Sequence, residues 1–305
     1  MKDYNKSLVQ VHVAVLFFGL SGLFAKLVSL PGILICLGRV FFSAVFLFTL
    51  LKIRGKSIRL ETKKDYVLMI VAGVVLAIHW TTFLTAIQVS TVAVGTLTFA
   101  TFSLFVTFLE PYLFRERLKM VHVVCAVVMM VGVMLIVPEF KLENSMTQGV
   151  VLGMIGSLSY AIVSLFNRSF SNRYIGTLVS FYEQTTAAVV LLPAFFVMKP
   201  RVTVQDWMGL IILGVVFTGV AHTMYISGLK RVRVQTASII ASLESVYGIL
   251  AAFLVLGEVP GIRELAGGIV ILGVVFYSTY CSVREENEKE KQRIQIHDAE
   301  VSNER

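Results

Sequence analysis

Seven ionisable side chains stand inside long apolar stretches of this sequence, where a charge is costly. They are Lys26, Arg39, His79, His122, Glu183, His222 and Glu244. Such side chains tend to face a bundle interior or a water-filled cavity. A guanidinium or ammonium group attracts a carboxylate, an imidazole titrates near neutral pH, and a desolvated carboxyl group can load and release a proton. The set therefore predicts binding of a small charged ligand, with proton transfer nearby.

Composition places these side chains in a membrane protein. Hydrophobic residues make up 56% of the chain and charged residues only 15%, a balance unlike that of soluble domains. A helix needs about 20 mostly apolar residues to cross the hydrocarbon core. Ten stretches qualify, at residues 8–30, 32–52, 66–88, 90–112, 120–138, 148–168, 176–198, 205–228, 234–256 and 262–283. We therefore predict an all-α integral membrane protein with ten transmembrane helices.

The net charge of +8 is concentrated in alternate loops. The loops after the second, fourth, sixth and eighth stretches, together with both ends of the chain, hold 21 lysines and arginines. The opposite loops hold only Lys141, Lys199, Arg201 and Arg263. By the positive-inside rule, both termini and the charged tail at residues 284–305 are cytoplasmic. The charge is thus a topology signal and predicts no nucleic-acid partner.

The second half of the sequence repeats the first. A shift of 142 residues lays AIHWTTFLTAIQVSTVAV, residues 77–94, onto GVAHTMYISGLKRVRVQT, and a shift of 144 lays PGILICLGRVFFSAV, residues 31–45, onto IGTLVSFYEQTTAAV. Five helices per half is an odd number, so the halves cross the membrane in opposite directions about a pseudo-two-fold axis. We expect inverted repeats at residues 8–138 and 148–283, with a substrate site near mid-bilayer between them.

The two shifts pair residues of unlike chemistry. Arg39 is equivalent to Glu183, Trp80 to His222, and Phe102 to Glu244. Arg39 and Glu183 each lie about 10 Å into their helices, from opposite membrane faces. These opposite charges are expected either to line opposite vestibules or to anchor helix packing through local partners.

Several segments have the pattern of a known family: LFFGLSGLFAKLVSLPGILICLGRVFFSAVFLF, FRERL before the fifth helix, and HTMYISGLKRV followed by ASLESVYGILAAFLVLGEVP. Together they resemble the EamA family of the drug/metabolite transporter superfamily. The resemblance covers residues 8–283 and implies ten helices, two repeats, a central cavity, and carriage of amino acids or other small metabolites, often outward. Ser245 departs from the family, which often has proline after the glutamate.

His79 and Trp80 lie side by side in a membrane-length stretch. In one interpretation the imidazole titrates or hydrogen-bonds the substrate while the indole forms a cavity wall. In the other, His79 is bonded to a neighbouring backbone carbonyl. His122, at a helix start near the cytoplasm, is expected to be interfacial. Four aromatic residues at mid-depth can stack on a ligand or pack on another helix: Phe99, Phe102, Tyr160 and Tyr225.

The charged residues suggest how a substrate is bound and coupled. Lys26 and Arg39 share the outer third of the membrane and are predicted to attract a carboxylate or to hold an outer gate. Glu244, near mid-span on a face of small residues, is expected to carry a proton that exchanges with substrate. His79 or His222 is its expected relay, and Glu183 is the next candidate. A buried carboxylate with a purely structural role is the alternative for Glu244.

Other features have weaker functional interpretations. Gly19-Leu20-Ser21-Gly22 matches the G-x-S-G of rhomboid-type intramembrane serine proteases, although Gly and Ser are common packing residues in membrane helices. An exporter of lipophilic cations, a passive channel, a lipid flippase and a cleaved N-terminal signal peptide are further alternatives. Cys36, Cys125 and Cys281 are expected as small core residues, and Glu116 and Glu258 as caps of the fifth and tenth helices.

We therefore expect a transporter and not an enzyme. It is predicted to lie in the bacterial plasma membrane, to work by alternating access, and to carry small metabolites such as amino acids, outward and in exchange for protons. We expect no cofactor, no metal and no nucleic acid. The expected partners are the substrate and the lipid bilayer, and the expected assembly is a monomer or weak dimer.

Overall fold

A computed structural model describes residues 2–114, 120–137, 139, 141–232, 234–277, 280, 281 and 284. Within these residues the protein is helical, with turns and loops between the helices and no β-strand. The helices are α1 Lys2–Ser21, α2 Phe24–Leu27, α3 Gly32–Ile53, α4 Lys63–Val89, α5 Val92–Phe99, α6 Phe102–Phe114, α7 Met120–Ile136, α8 Ser145–Ser171, α9 Gly176–Met198, α10 Val204–Gly214, α11 Ala221–Gly228, α12 Val234–Leu256 and α13 at residues 262–277. Glu116, the side chain of His122 and the tail after residue 284 lie outside the described residues.

Six segments are long and apolar enough to cross a membrane. They are Tyr4–Leu27, Gly32–Ile53, Lys63–Val89, Ser145–Ser171, Gly176–Met198 and Val204–Gly228. Shorter apolar helices occupy Val92–Val106, Val123–Ile136 and Ile240–Leu256. The prediction of a helical, multi-pass membrane protein is confirmed, while the count of ten crossings stays a prediction.

Three of the predicted stretches are interrupted in the structure. The first turns at Gly22 and Leu23, between α1 and α2, and the eighth contains a π-helical segment, Val215–Val220. The fourth breaks between α5 and α6, where Thr96, Thr98 and Thr101 donate their hydroxyl groups to backbone carbonyl oxygens. Hydroxyl groups bonded in this way bend helices, which hydropathy does not reveal.

The helix starts follow capping side chains that the sequence carries. Thr62, Thr91 and Thr203 accept hydrogen bonds from backbone N–H groups of the first turns of α4, α5 and α10, which satisfies donors with no intrahelical partner. Glu258 was expected to cap the tenth helix. Its Oε1 instead accepts from the N–H of Val92, at 2.7 Å, because α13 begins only at residue 262 and the start of α5 is nearer.

Helices of each half of the chain pack against helices of the other half. In the first half α1 packs on α11 and α12, and in the second half α8 packs on α4, α5 and α6, while α3 packs on α9. Glycines permit the closest approaches: a Cβ atom added to Gly73 would lie 2.7 Å from Glu183 O, and one added to Gly214 would lie 2.8 Å from Arg39 O. Since Arg39 and Glu183 are equivalent positions, the two close contacts correspond across the repeats.

Candidate functional site

A cavity of about 20 Å³ lies where α1, α3, α4, α5, α8, α11 and α12 meet. Both halves of the sequence contribute to its wall. The lining residues are Phe18, Ser21, Arg39, His79, Trp80, Phe83, Phe99, Tyr160, His222 and Glu244. Seven of these belong to the residues that the sequence singled out, and the structure brings them together from helices far apart in the chain.

Arg39 supplies the positive charge of the cavity wall. Its side chain is 1% exposed, its Nε donates to Thr218 Oγ1 at 3.0 Å, and its guanidinium carbon lies 4.2 Å from the centre of the Trp80 ring. One terminal nitrogen of Arg39 has no hydrogen-bond partner among the described residues. Stacking on an aromatic face and one neutral hydrogen bond leave the charge uncompensated by these contacts, so the guanidinium is available to an anionic group.

Glu244 supplies a negative charge to the same cavity. It lies on α12 with 5% of its surface exposed. The position equivalent to Glu244 in the first repeat is Phe102, which stacks on Phe99 with ring centroids 5.1 Å apart. The cavity is therefore asymmetric in charge between the two repeats.

His222 connects the cavity to a second buried carboxylate. Its ring lies edge to face on Trp80, at 5.5 Å between centroids, and its Nε2 lies 2.9 Å from Glu183 Oε2. Glu183 does not line the cavity. Arg39 therefore lies in the cavity wall, whereas Glu183 lies behind the wall, bonded to His222. The two charges were predicted either to line opposite vestibules or to have local partners.

His79 combines both interpretations made from the sequence. Its Nδ1 lies 2.9 Å from Gly156 O, and because a carbonyl can only accept, Nδ1 carries the proton. Its ring also forms part of the cavity wall, 4.7 Å from the Tyr160 ring and 5.1 Å from Phe99. The backbone bond fixes the ring, so His79 presents a fixed aromatic surface and its Nε2 to the interior.

Aromatic rings form most of the remaining wall. Phe99 and Tyr160 line the cavity, and Phe102 lies against both at 5.1 Å. Tyr225 contacts Phe18 at 5.7 Å but is not itself a lining residue. Phe102 and Tyr225, both predicted as cavity residues, thus support the wall from behind.

Lys26 lies outside the cavity, contrary to the predicted pairing with Arg39. Its side chain is exposed, and its Nζ donates to Ser90 O at 2.8 Å. The turn at Gly22 and Leu23 takes α2 off the axis of α1. The carbonyl groups at the end of α4 lack helical donors and attract the ammonium group, which explains the position of Lys26.

Sequence reasoning missed Phe18 and Phe83 as wall residues, because apolar residues in an apolar helix carry no signal of direction. Ser21 was noticed only for a protease motif. It lines the cavity, and its hydroxyl donates to Phe18 O at 2.7 Å. This local bond is typical of serine in membrane helices and gives no sign of an activated nucleophile.

Two hydrogen-bonded clasps hold opposite ends of the bundle. At one end Asp65 accepts two bonds from Arg173, at 2.8 and 2.7 Å, and one from Tyr174, at 2.7 Å. Hydrogen bonds to Asp65 and Glu61 raise the pKa of Arg173, and burial raises the pKa of Tyr174. The start of α4 is thereby fixed to the loop between α8 and α9.

The second clasp has the equivalent position in the other repeat. Asp206 Oδ1 accepts from the N–H of Ser29 at 2.8 Å, and Asp206 also forms a capping box with Thr203. Asp206 follows Asp65 by 141 residues, and Arg173 follows Ser29 by 144. Each clasp therefore joins a Thr-x-x-Asp helix start in one repeat to a loop of the other.

Comparison with known proteins agrees with this architecture. The EamA-like transporter family matches the chain twice, over residues 5–137 and 147–280. A relative from Archaeoglobus fulgidus, named as an uncharacterized transporter, is 30% identical over 193 residues, which are 63% of this chain and 69% of the relative. The uncharacterized transporter YxxF of Bacillus subtilis is 20% identical over 276 residues, 88% of each chain. A crystal structure at 17% identity has a TM-score of 0.66 over 92% of this chain and 99% of the other, which shows a shared fold.

Proposed function

The chain belongs to the EamA-like transporter family, and on that basis we propose that it carries small zwitterionic metabolites, above all amino acids, across a bacterial plasma membrane. The positive-inside distribution of Lys and Arg supports cytoplasmic termini. Outward transport is the proposed direction. The proposed assembly is a monomer or weak dimer.

The observation that carries this proposal is the presence of Arg39 and Glu244 in one buried, aromatic-walled cavity. A lone charge inside a membrane protein costs about 2.5 kcal/mol or more. A zwitterion compensates both charges at once, with its carboxylate toward Arg39 and its ammonium group toward Glu244. Neutral solutes cannot do so, and a singly charged solute leaves one of the two residues uncompensated.

The rest of the wall suits a small side chain. Seven of the ten lining residues are Phe, Tyr, Trp or His, including Phe18, Phe83 and Phe99. The cavity itself has a volume of about 20 Å³, room for about one water molecule, so the proposed substrate enters only when the helices move apart. The substrate is therefore expected to be a single metabolite with an apolar or aromatic side chain, and not a peptide.

Alternating access follows from the repeat architecture. Sequence equivalence and the exchanged packing of α1 with α12 and of α8 with α5 support two repeats of opposite orientation. Rocking one repeat against the other opens the cavity to each side in turn. The clasps at Asp65 and Asp206 lie where such a movement would break one contact and keep the other.

Coupling to protons is part of the same proposal. A carboxylate that binds the substrate ammonium group can instead bind a proton, so that substrate and proton compete for Glu244. Exchange of one for the other across the membrane lets the proton gradient drive export. His222 and His79, both on the cavity wall, are the imidazoles placed to transfer that proton.

A second candidate is the export of lipophilic cations. It is favoured by the aromatic rings around Glu244, since such rings stabilise cations. Arg39 on the same wall opposes it, because a bound cation would meet a guanidinium in a medium of low dielectric constant.

Transport by purified protein in liposomes distinguishes these functions. The panel contains amino acids, the corresponding carboxamides without a free carboxylate, and the corresponding amines, each with and without an imposed pH gradient. We expect the amino acids to be carried many-fold faster than either analogue. Preference for the amines would establish the cation exporter, and equal rates for all three would contradict both proposals.

A further inference from the structure

A second group of buried polar side chains, called the pocket below, lies behind His222, where α8, α9 and α11 meet. We define it by Ser164, Asn167, Glu183, His222 and Tyr225, each at most 1% exposed. Ser164 and Asn167 are three residues apart on α8, and His222 and Tyr225 are three residues apart on α11. Each pair therefore lies on one face of its helix. Asn167 lies within interaction range of the Glu183 carboxylate, and Ser164 within range of the Tyr225 hydroxyl. The pocket is therefore a compact group of side chains.

Its polar atoms are incompletely bonded. Glu183 Oε2 is paired with His222 Nε2, but Glu183 Oε1 has no hydrogen-bond partner among the described residues. The same holds, within the described chain, for both polar atoms of the Asn167 amide, the Ser164 and Tyr225 hydroxyls and His222 Nδ1. Each such buried group costs about 1–3 kcal/mol when it has no partner. So many in one place indicate a site that binds something.

The available atoms favour a cation. Glu183 Oε1, Asn167 Oδ1 and the two hydroxyl oxygens are all acceptors, and oxygen atoms are the ligands of hard cations. With one carboxylate in the pocket, a monovalent ion gives neutrality, whereas a divalent ion would leave a buried excess charge. A proton satisfies the same requirement, because it neutralises the buried negative charge of the pocket.

The equivalent positions of the first repeat show why the pocket exists only once. Arg39 is equivalent to Glu183, Trp80 to His222, and Phe83 to Tyr225. At these positions the first repeat has the guanidinium group of Arg39 and two aromatic rings, whereas the second repeat has a carboxylate and two polar side chains. A cation bound at Glu183 would neutralise the carboxylate that the second repeat has in place of Arg39.

We propose that this pocket binds a monovalent cation, either a proton held by the His222–Glu183 pair or a sodium ion held by Glu183, Asn167, Ser164 and Tyr225. Binding of the ion affects the central cavity through the His222 ring, which contacts Trp80 and forms part of the cavity wall. The coupling of this ion to transport rests on the proposed function. Binding of the ion does not.

Two titratable groups of the central cavity also act on this pocket, because Glu244 interacts with Tyr225 and His79 with His222. His222 on α11 and Tyr160 on α8 are the titratable side chains that interact with Glu183. From α3 and α4, the buried Arg39 and His79 face the central cavity. A response to pH that disappears with the Glu183 carboxylate is therefore assigned to the pocket.

The test is thermal unfolding of the purified protein in detergent without any metabolite. Sodium chloride is compared with choline chloride at equal concentration, at about pH 6 and about pH 8. A ligand that binds only the folded protein raises the midpoint, and we expect a rise of about 5 °C at saturation. A rise with sodium establishes the sodium ion; a rise only on acidification establishes the proton.

Glu183→Gln keeps the shape and removes the charge, so it is expected to lose the response. Ser164→Ala should weaken a sodium response several-fold and leave a proton response. Ser43→Ala is the matched control, because it also removes a buried hydroxyl without a partner among the described residues, on α3. Asn167→Ala replaces Glu183→Gln if the latter does not fold.

Equal responses of the wild type and these pocket variants to both ions would overturn the proposal. Because no metabolite is present, this outcome leaves the proposed function intact. Conversely, an ion response without amino acid transport in liposomes would retain the pocket and reject the proposed function.

Discussion

Trp80 and His222 occupy equivalent positions of the two repeats and contact each other edge to face, with ring centroids 5.5 Å apart. Arg39 stacks on Trp80 from one side, and Glu183 bonds His222 on the other. A row of four side chains thus crosses the centre of the protein with a positive charge at one end and a carboxylate at the other. Equivalent positions meet only near a symmetry axis, so the axis that relates the repeats passes between these two rings.

Substitution Arg39→Gln is expected to raise the KM for amino acids by about tenfold or more, because a charge-assisted hydrogen bond to the carboxylate is lost. The KM of any carboxamide analogue carried should change little. Lys26→Gln is the matched control, since it removes a positive charge from the exposed end of α2. Equal losses for amino acids and carboxamides in normally expressed Arg39→Gln would contradict this role.

Substitution Glu244→Gln tests proton coupling at the cavity. Glutamine resembles the protonated acid, so transport driven by a pH gradient should disappear while exchange of internal for external substrate persists. Both rates are measured with radiolabelled substrate in the same proteoliposomes. If Glu244→Gln still concentrates substrate in response to the gradient, Glu244 is not the coupling group.

Tryptophan fluorescence offers a direct report on the cavity. The chain has two tryptophans, Trp80 on the cavity wall and Trp207, which is 43% exposed. In Trp207→Phe the emission comes from Trp80 alone, and bound amino acid should shift or quench it in a saturable way. Trp80→Phe, which keeps only the surface indole, is the control and should show no response. A saturable signal of equal size in both variants would place binding elsewhere.

Arg173→Gln should loosen the end of the bundle that the Asp65 clasp holds. Asp65 is 2% exposed and would lose both bonds from Arg173, so we expect faster labelling of a cysteine placed at Leu178, buried in the first turns of α9. Arg59→Gln, an exposed loop residue, controls for loss of a positive charge. Unchanged labelling of the Arg173→Gln protein would show that the clasp does not hold this end closed.

Membrane topology is tested by impermeant cysteine reagents on whole cells. Cysteines at residue 58 and tags at both termini should be reached only from the cytoplasm, and a cysteine at Lys199 only from outside. Cys36, Cys125 and Cys281 are first replaced by serine or alanine. Labelling of every site from one side would disprove the inverted repeat.

Much of the architecture was predictable because hydropathy and repetition are properties of the sequence itself. Apolar length identified the membrane helices, and the 142-residue shift identified Trp80 and His222 as equivalent. Arg39, His79 and Glu244 were found because ionisable groups in apolar stretches must face an interior. These signals need no knowledge of tertiary structure.

The remainder depends on direction and long-range contact. Depth in a helix does not say which way a side chain points, so Glu183 was expected on a vestibule wall and lies behind His222. Lys26 was misplaced because hydropathy is continuous through the turn after α1. The Thr-x-x-Asp helix starts are visible in the sequence, but the partner of Asp65 is 108 residues away, and only folding identifies it.

The two clasps differ in their sensitivity to mutation of the donor residue. The Asp65 clasp depends on the Arg173 side chain, so a single base change at that codon can remove it. At the other end Asp206 holds the main-chain N–H of Ser29, which every residue except proline supplies. Sequence drift at position 29 therefore preserves that clasp, whereas drift at position 173 does not. One end of the bundle is therefore held through side chains of both partners, and the other through the side chain of Asp206 alone.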